Sequence, residues 1–157
     1  MSTKERPSWD DYFISIARVV ASRSNCLRRQ VGAIIVADKR IVSTGYNGTP
    51  FGVQNCDEGG CARCASDLPR QAGYDWCLCV HAEQNAIALA ARQGTATEGA
   101  RLYVTLRPCF GCLKEAVQAG IHEIVYEQPF DYEPELEEAY QLLLRQSGLV
   151  MRQHAGR

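Results

Sequence analysis

An alanine-rich helix is predicted within the stretch His81-Ala-Glu-Gln-Asn-Ala-Ile-Ala-Leu-Ala-Ala-Arg92, where apolar residues recur at helical spacing. His81 and Glu83 stand at the start of this helix. Further along, the chain reads Pro108-Cys-Phe-Gly-Cys112, and a proline is well tolerated in the first turn of a helix. The sequence therefore predicts two helix starts that together carry one histidine, one glutamate and two cysteines.

One histidine and two cysteines are typical ligands of a catalytic zinc site. His81, Cys109 and Cys112 give three protein ligands and leave the fourth zinc position open for water. Backbone N–H groups and the helix dipole at the second helix start favour the two thiolates. Glu83 can carry the proton of a water whose pKa zinc lowers towards about 7. The competing interpretation is a closed zinc site with an idle glutamate, but the motif holds no fourth ligand.

Strands flank the two helices. Alternating strands and helices in the later half indicate parallel pairing and a three-layer α/β domain. The last helix is closed by Gly148. Strands are predicted at 31–36 and 41–46, which form a hairpin, and at 102–106, 123–126 and 149–152.

The sequence of the amino-terminal part predicts a further helix, which is capped by Ser8. Its buried face is predicted to consist of the apolar residues that recur at helical spacing. These are Tyr12, Phe13, Ile16, Val19 and Val20.

Length and composition fit one domain, spanning residues 1–157, with a cysteine-rich insertion at about 50–80. The hydrophobic content of 46% and charged content of 22% are those of ordinary globular proteins. The net charge of −1 gives no global attraction to nucleic acid or to an anionic membrane. Residues 1–9 lack the apolar core of an export signal, so we expect a cytoplasmic protein.

The eight cysteines have two interpretations, disulfides or metal ligands. Several spacings are those of metal ligands, which favours reduced thiolates. The cysteine-rich insertion at about 50–80 is also too long to be ordered inside a compact domain without cross-links or bound metal.

With these residues in hand, the chain resembles the deoxycytidylate (dCMP) deaminases of the cytidine deaminase superfamily. The zinc motif itself is a known signature of zinc nucleobase deaminases. The resemblance implies an α/β/α cytidine-deaminase-like fold with a mixed sheet of about five strands. It is carried by Arg28-Arg-Gln-Val31-Gly-Ala33, Gly45-Tyr-Asn-Gly-Thr-Pro50, Cys79-Val-His-Ala-Glu-Gln-Asn-Ala-Ile87 and Thr105-Leu-Arg-Pro-Cys-Phe-Gly-Cys112.

The resemblance implies an aminohydrolase that converts dCMP to dUMP and ammonia, and it assigns roles to named positions. His81, Cys109 and Cys112 would bind catalytic Zn²⁺, with Glu83 as the proton carrier. Among substrate contacts, Asn47 would bind the sugar and orient the base, Arg28 would contact the phosphate, and Tyr126 would lie near the same pocket. A guanidinium suits a phosphate, and Arg29 belongs to the same basic cluster. The alternative is a pair of solvated surface arginines.

Some relatives of this type hold a second, structural zinc. The resemblance implies that Cys26 and Cys56 are two of its ligands, with Cys61, Cys64 and Cys77 as candidates to complete it. The alternative is that several of these cysteines are free buried thiols. The resemblance also implies a homo-oligomer, commonly a hexamer, with dCTP and dTTP as effectors.

Other functions remain open at this point. A tRNA adenosine deaminase shares the zinc signature, but the chain has no basic stripe for a polyanion. A cytidine or dCTP deaminase is a further enzymatic alternative. A zinc-stabilised interaction module without catalysis would have no need of Glu83, and a nucleic-acid-binding ribbon would need more aromatic and basic residues.

Overall fold

A computed structural model describes residues 5–156 of the chain. The predicted single domain over 1–157 and the predicted lack of an export signal over 1–9 therefore lie in part outside the described residues. The helices are α1 (Trp9–Ala21), α2 (Ala62–Ala65), α3 (Ala82–Arg92), α4 (Phe110–Gln118) and α5 (Pro134–Ser147). The strands are β1 (Gly32–Ala37), β2 (Arg40–Tyr46), β3 (Arg101–Leu106), β4 (Glu123–Gln128) and β5 (Val150–Gln153).

The strands form one mixed sheet in the order β2-β1-β3-β4-β5. β1 pairs antiparallel with β2 and with β3, whereas β3–β4 and β4–β5 are parallel. The hairpin turns through Asp38 and Lys39, which both have positive φ, the geometry of a tight two-residue hairpin turn. Helices α4 and α5 provide the crossovers that parallel pairing requires. The predicted hairpin and the predicted mixed sheet are confirmed.

The sheet is covered on both faces, which confirms the three-layer fold. Because side chains alternate along a strand, neighbouring residues of β1, β3 and β4 enter opposite layers. One layer packs α1 against Ile34, Val36, Tyr103 and Val125. The other packs α3, α4 and α5 against Ala33, Ile35, Leu102, Val104 and Ile124.

Helix α1 begins as predicted, and its buried face agrees with the prediction in part. The backbone N–H of Asp11 donates to the Ser8 hydroxyl at 3.1 Å. Tyr12 and Val19 are exposed, at 45% and 70%. The buried residues are Phe13, Ile14, Ala17 and Ala21.

The prediction is confirmed for Phe13, Ile16 and Val20, which pack in the cluster on this side of the sheet, and it was wrong for Tyr12 and Val19. The buried face also includes the small residues Ala17 and Ala21, because the backbones approach closely there. A Cβ on Gly32 would lie 2.1 Å from the carbonyl oxygen of Ala17.

Helix α3 is held tightly against β2, and this contact fixes the helix start. A Cβ on Gly45 would lie 2.2 Å from the carbonyl oxygen of Ala82 and 2.4 Å from the backbone nitrogen of Ala86. The Ser43 hydroxyl donates to the Ala86 carbonyl at 2.5 Å, and the Asn85 amide donates to the Tyr46 carbonyl at 2.7 Å. The position of the residues at the start of α3 thus depends on β2.

The cysteine-rich segment between β2 and α3 contains only short helical turns. Besides α2, these are the 3₁₀ turns Cys56–Glu58 and Tyr74–Trp76. Within residues 5–156, no helix is both long enough and apolar enough to cross a bilayer.

We predict that Gly45→Ala lowers the free energy of unfolding by about 1–3 kcal/mol, because the added methyl group pushes α3 away from β2. Chemical denaturation measures this change. Thr44→Ala, on the opposite face of the same strand, is the control and should cost less. A Gly45→Ala protein as stable as the parent would contradict the close packing.

Candidate active site

The amino-terminal ends of α3 and α4 meet at one point. His81 precedes α3, Cys109 precedes α4, and Cys112 lies in the first turn of α4. The Nδ1 atom of His81 lies 3.4 Å from the Sγ atom of each cysteine. The structure therefore brings together the three predicted ligands, called here the His–Cys–Cys group.

The distances in the His–Cys–Cys group fit a tetrahedral zinc. Bond lengths of about 2.0 Å to nitrogen and about 2.3 Å to sulfur place tetrahedral ligands about 3.5 Å apart. The three donor atoms form one candidate metal site that does not include a carboxylate. Three protein donors leave a fourth position for water, which is the arrangement of a catalytic site.

The charges of the His–Cys–Cys group call for a cation. The hydrogen bond with Cys112 lowers the pKa of Cys109 to about 4, opposed by burial and assisted by His81. The same thiolate raises the pKa of Cys112 and, by its hydrogen bond, raises the pKa of His81 to about 9. The three groups therefore compete for protons, and binding of a divalent metal requires all of them in the deprotonated form.

Glu83 lies beside this group in the first turn of α3, with 4% of its surface exposed. Burial raises the pKa of its carboxyl to about 7, although the charge of His81 acts in the opposite direction. Glu83 also lines the cavity that opens at the group. A carboxyl that exchanges protons near neutral pH is suited to acid–base work.

A hydrogen-bonded chain holds the start of α3 against α4. The backbone N–H of His81 donates to Oε1 of Gln84 at 2.9 Å, and the Gln84 amide donates to Glu115 at 2.9 Å. Because Glu115 belongs to α4, the two helix starts cannot shift independently.

Asn47 lines the same cavity at the end of β2 and is buried. Its Oδ1 atom accepts from the backbone N–H of Val31 at 2.8 Å and from the Ser24 hydroxyl at 2.7 Å. Its amide nitrogen donates to the Arg29 carbonyl at 2.7 Å. An amide nitrogen carries two N–H groups, so one further donor is available beside the cavity.

The predicted phosphate contact, Arg28, lines the cavity but is engaged with the chain itself. Its guanidinium donates to the backbone carbonyls of Cys64 and Leu68, each at 3.0 Å, and to that of Ser66. Arg28 therefore anchors the cysteine-rich segment.

Two other arginines lie at the mouth of the cavity. Arg29 lies over the Phe130 ring at 5.3 Å and Arg70 over the same ring at 5.9 Å. Both also line a wider cleft that adjoins the cavity. Within residues 5–156, neither has a carboxylate partner. Burial and then the charge of Arg70 lower the pKa of Arg29.

Tyr126 is not among the residues that line the cavity. β4 continues beyond it to Gln128, and its side chain packs into the layer of α3, α4 and α5. Residues after the strand, Phe130 and Tyr132, form the wall instead. The predicted strand end at Tyr126 was wrong, because β4 continues to Gln128, and a role of Tyr126 near the pocket stays a prediction.

Arg107 holds this aromatic wall in place. Its guanidinium makes a two-point ion pair with Glu137, at 2.9 and 2.8 Å, and donates to the Phe130 carbonyl at 2.9 Å. The guanidinium also lies 4.3 Å from the centre of the Tyr140 ring and 5.3 Å from that of Tyr132.

The remaining six cysteines gather into one buried group, called here the six-cysteine cluster. Its members are Cys26, Cys56, Cys61, Cys64, Cys77 and Cys79. All five cysteines predicted as structural zinc candidates are present. Cys79 was missing from that prediction, although its position two residues before His81 was a signal in the sequence.

Residues 7–128 match the model of the cytidine and deoxycytidylate deaminase zinc-binding region. The match includes the whole His–Cys–Cys group. The chain belongs to the cytidine and deoxycytidylate deaminase family. The resemblance inferred from the sequence is confirmed, and Zn²⁺ is the metal that the family binds.

Curated relatives in this deaminase family extend the similarity over nearly the whole chain. The deoxycytidylate deaminases of Schizosaccharomyces pombe and Saccharomyces cerevisiae are 42% and 43% identical over 95% and 98% of this chain. The chain spans about half the length of these two fungal proteins, 45% and 47%. The deoxycytidylate deaminase of Mycobacterium phage D29 is 42% identical, over 77% of this chain and 95% of the phage protein.

A solved structure of the same family shares the fold. It is the dCMP deaminase of cyanophage S-TIM5 in complex with dCMP and dUMP, with 28% sequence identity and a TM-score of 0.73. The similarity covers 96% of this chain and 99% of the cyanophage chain.

Proposed function

We propose that the protein deaminates dCMP by zinc-dependent hydrolysis, giving dUMP and ammonia. The observation that carries this proposal is the three-ligand His–Cys–Cys group beside the buried carboxyl of Glu83. Relatives named deoxycytidylate deaminase and a cyanophage enzyme bound to dCMP and dUMP support the choice of substrate.

The reaction replaces the amino group of cytosine by oxygen from water. His81, Cys109 and Cys112 would hold the zinc, which would lower the pKa of a water at the cavity. Glu83 would take one proton from this water as the C4–O bond forms and give it to N3 of the ring. It would then take the second proton from the new C4 hydroxyl and give it to the amino group. The C4–N bond then breaks, and ammonia leaves. A carboxyl with a pKa near 7 can both accept and release these protons.

We propose that Asn47 orients the nucleoside. Its two hydrogen-bonded oxygen contacts and its bond to Arg29 hold the side chain rigidly, while the remaining N–H stays available to an acceptor on the sugar or base. Because the Asn47 amide is already held in place, little conformational entropy is lost when it binds the substrate.

The arginines at the cavity mouth support recognition of a phosphate. Arg29 and Arg70 stack on one aromatic ring and repel each other, so a phosphate between them would relieve the repulsion and accept their N–H groups. We therefore assign the phosphate contact to Arg29 and Arg70, with Arg28 supporting them through the backbone of the cysteine-rich segment.

Further proposals concern the whole protein. We propose a single deaminase domain in which the six-cysteine cluster binds structural zinc, in addition to the catalytic ion. None of the eight cysteines forms a disulfide, which is consistent with a cytoplasmic protein. A hexamer regulated by dCTP and dTTP rests on the resemblance to the family.

The substrate proposal predicts that purified protein consumes dCMP much faster than dCTP, deoxycytidine or a tRNA anticodon stem. Loss of cytosine absorbance and chromatography of the products measure this. Glu83→Gln should retain zinc and lose about 10²- to 10⁴-fold in turnover, the usual contribution of general acid–base catalysis. Turnover of the RNA alone, or no turnover with zinc bound, would overturn the proposal. Undiminished activity of Glu83→Gln would remove Glu83 from the mechanism.

The phosphate proposal predicts that Arg29→Gln and Arg70→Gln each raise KM for dCMP by about 10- to 100-fold, the effect of one charge-assisted hydrogen bond. The steady-state constants for deoxycytidine should stay as in the parent, since that substrate has no phosphate. Arg145→Gln, on the exposed side of α5, serves as the control. An equal loss with both substrates would contradict a phosphate contact.

A further inference from the structure

The six-cysteine cluster consists of two overlapping tetrads. Each tetrad has four Sγ atoms that all lie within 4.8 Å of one another. Cys64 and Cys79 belong to both tetrads. The first tetrad is completed by Cys26 and Cys56, and the second by Cys61 and Cys77.

The sulfur–sulfur distances are those of a metal–thiolate tetrahedron. Four sulfurs at about 2.3 Å from one zinc lie about 3.8 Å apart, whereas a disulfide has a bond of about 2.0 Å. In the first tetrad, Cys26 lies 3.8 Å from Cys64. In the second, Cys77 lies 3.7 Å from both Cys61 and Cys64. The two shared sulfurs are 3.8 Å apart.

We propose that the cluster binds two zinc ions, one in each tetrad, bridged by the thiolates of Cys64 and Cys79. Each ion then has four sulfur ligands, so both sites are closed and structural. A single ion would use only one tetrad and leave two cysteines of the other without a metal. Both tetrads have tetrahedral spacing, and five of the six cysteines are buried.

The surroundings of the cluster also favour metal-bound thiolates. The backbone N–H of Leu78 donates to the sulfur of Cys61 at 3.4 Å, a bond that stabilises a thiolate. Six thiolates and two zinc ions carry a net charge of −2. Arg63, which lies between Cys61 and Cys64 in sequence, is only 3% exposed.

The groups that contact the Arg63 guanidinium are all neutral. It donates to the carbonyls of Ala72 and Pro69, and it lies over the Tyr74 ring at 4.6 Å. Within residues 5–156, no carboxylate pairs with it. A buried cation is costly without a counter-charge, and metal-bound thiolates at the neighbouring positions Cys61 and Cys64 would provide one.

In the cysteine-rich segment, bound metal would take the place of a hydrophobic core. The buried residues that form the centre of the segment are all cysteines. A segment with so little apolar surface can be ordered by metal binding, because the binding free energy then becomes folding free energy. Two ions tie together three parts of the chain, which contain Cys26, residues 56–64 and residues 77–79.

The proposed site does not depend on which nucleotide is deaminated, and metal counts test it separately from activity. We predict three zinc ions per chain by native mass spectrometry and elemental analysis, one in the His–Cys–Cys group and two in the cluster. A total of two would show a single structural ion, and a total of one would show none, so either would overturn the proposal. Iron with inorganic sulfide, or disulfides in the freshly purified protein, would also overturn it.

Cysteine variants distinguish the two tetrads. Cys56→Ser removes a ligand from the first tetrad only, and Cys61→Ser from the second only, so each should lose about one zinc. Ala65→Ser, an exposed position in α2, adds the same hydroxyl without removing a ligand and should keep all three ions. If either cysteine variant keeps three ions, or if only one of the two tetrads responds, the bridged pair is wrong.

Cobalt substitution of the wild-type protein covers the case in which the variants do not fold. Two Co²⁺ ions that share thiolate ligands couple magnetically, so the paramagnetic resonance signal per cobalt should fall as the second cluster position fills. A signal that grows in proportion to cobalt up to full loading would contradict the bridge.

Discussion

The convergence of two helix starts on one metal position is the constraint on which the rest of the structure depends. α3 and α4 follow different strands, yet the Sγ atoms of Cys109 and Cys112 each lie 3.4 Å from Nδ1 of His81. Gly45 allows α3 to pack directly on β2, which fixes one side of the group. On the other side, the hydroxyls of Tyr132 and Tyr140 donate to the carbonyl of Pro108, which directly precedes Cys109. The sheet therefore sets the positions that the chemistry requires.

Residues of three different kinds surround the cavity beside the His–Cys–Cys group. The six-cysteine cluster provides one wall, and the aromatic residues after β4 provide another, held by the ion pair of Arg107 with Glu137. Arginines stand at the mouth. In the proposed reaction, the base lies at the buried end beside Glu83 and the phosphate at the exposed end. The paired backbone bonds between Gly48 and Val80 link Asn47 to the residues just before His81, so sugar recognition and metal binding share one support.

Local patterns in the sequence were enough to predict the strands, the helices and the His–Cys–Cys group. Strand alternation, the Ser8 cap and the ligand spacing are properties of neighbouring residues, and these predictions were confirmed. Contacts between distant segments were not predictable in this way. The small residues that face the sheet in α1 depend on the approach of Gly32. The Arg70 side chain lies over the Phe130 ring because the cysteine-rich segment approaches the residues that follow β4, and the Arg28 side chain is hydrogen-bonded to that same segment. No feature of the neighbouring sequence shows which of Arg28 and Arg29 is free to contact a phosphate.

Diffraction at the zinc absorption edge from crystals grown with dUMP would test the central claim most directly. The account predicts an anomalous peak at about 2.0 Å from Nδ1 of His81 and about 2.3 Å from the sulfurs of Cys109 and Cys112. The Glu83 carboxylate should face the pyrimidine ring without binding the metal, and the phosphate should lie between Arg29 and Arg70. Glu83 bound to zinc as a fourth protein ligand, with no nucleotide in the cavity, would contradict it.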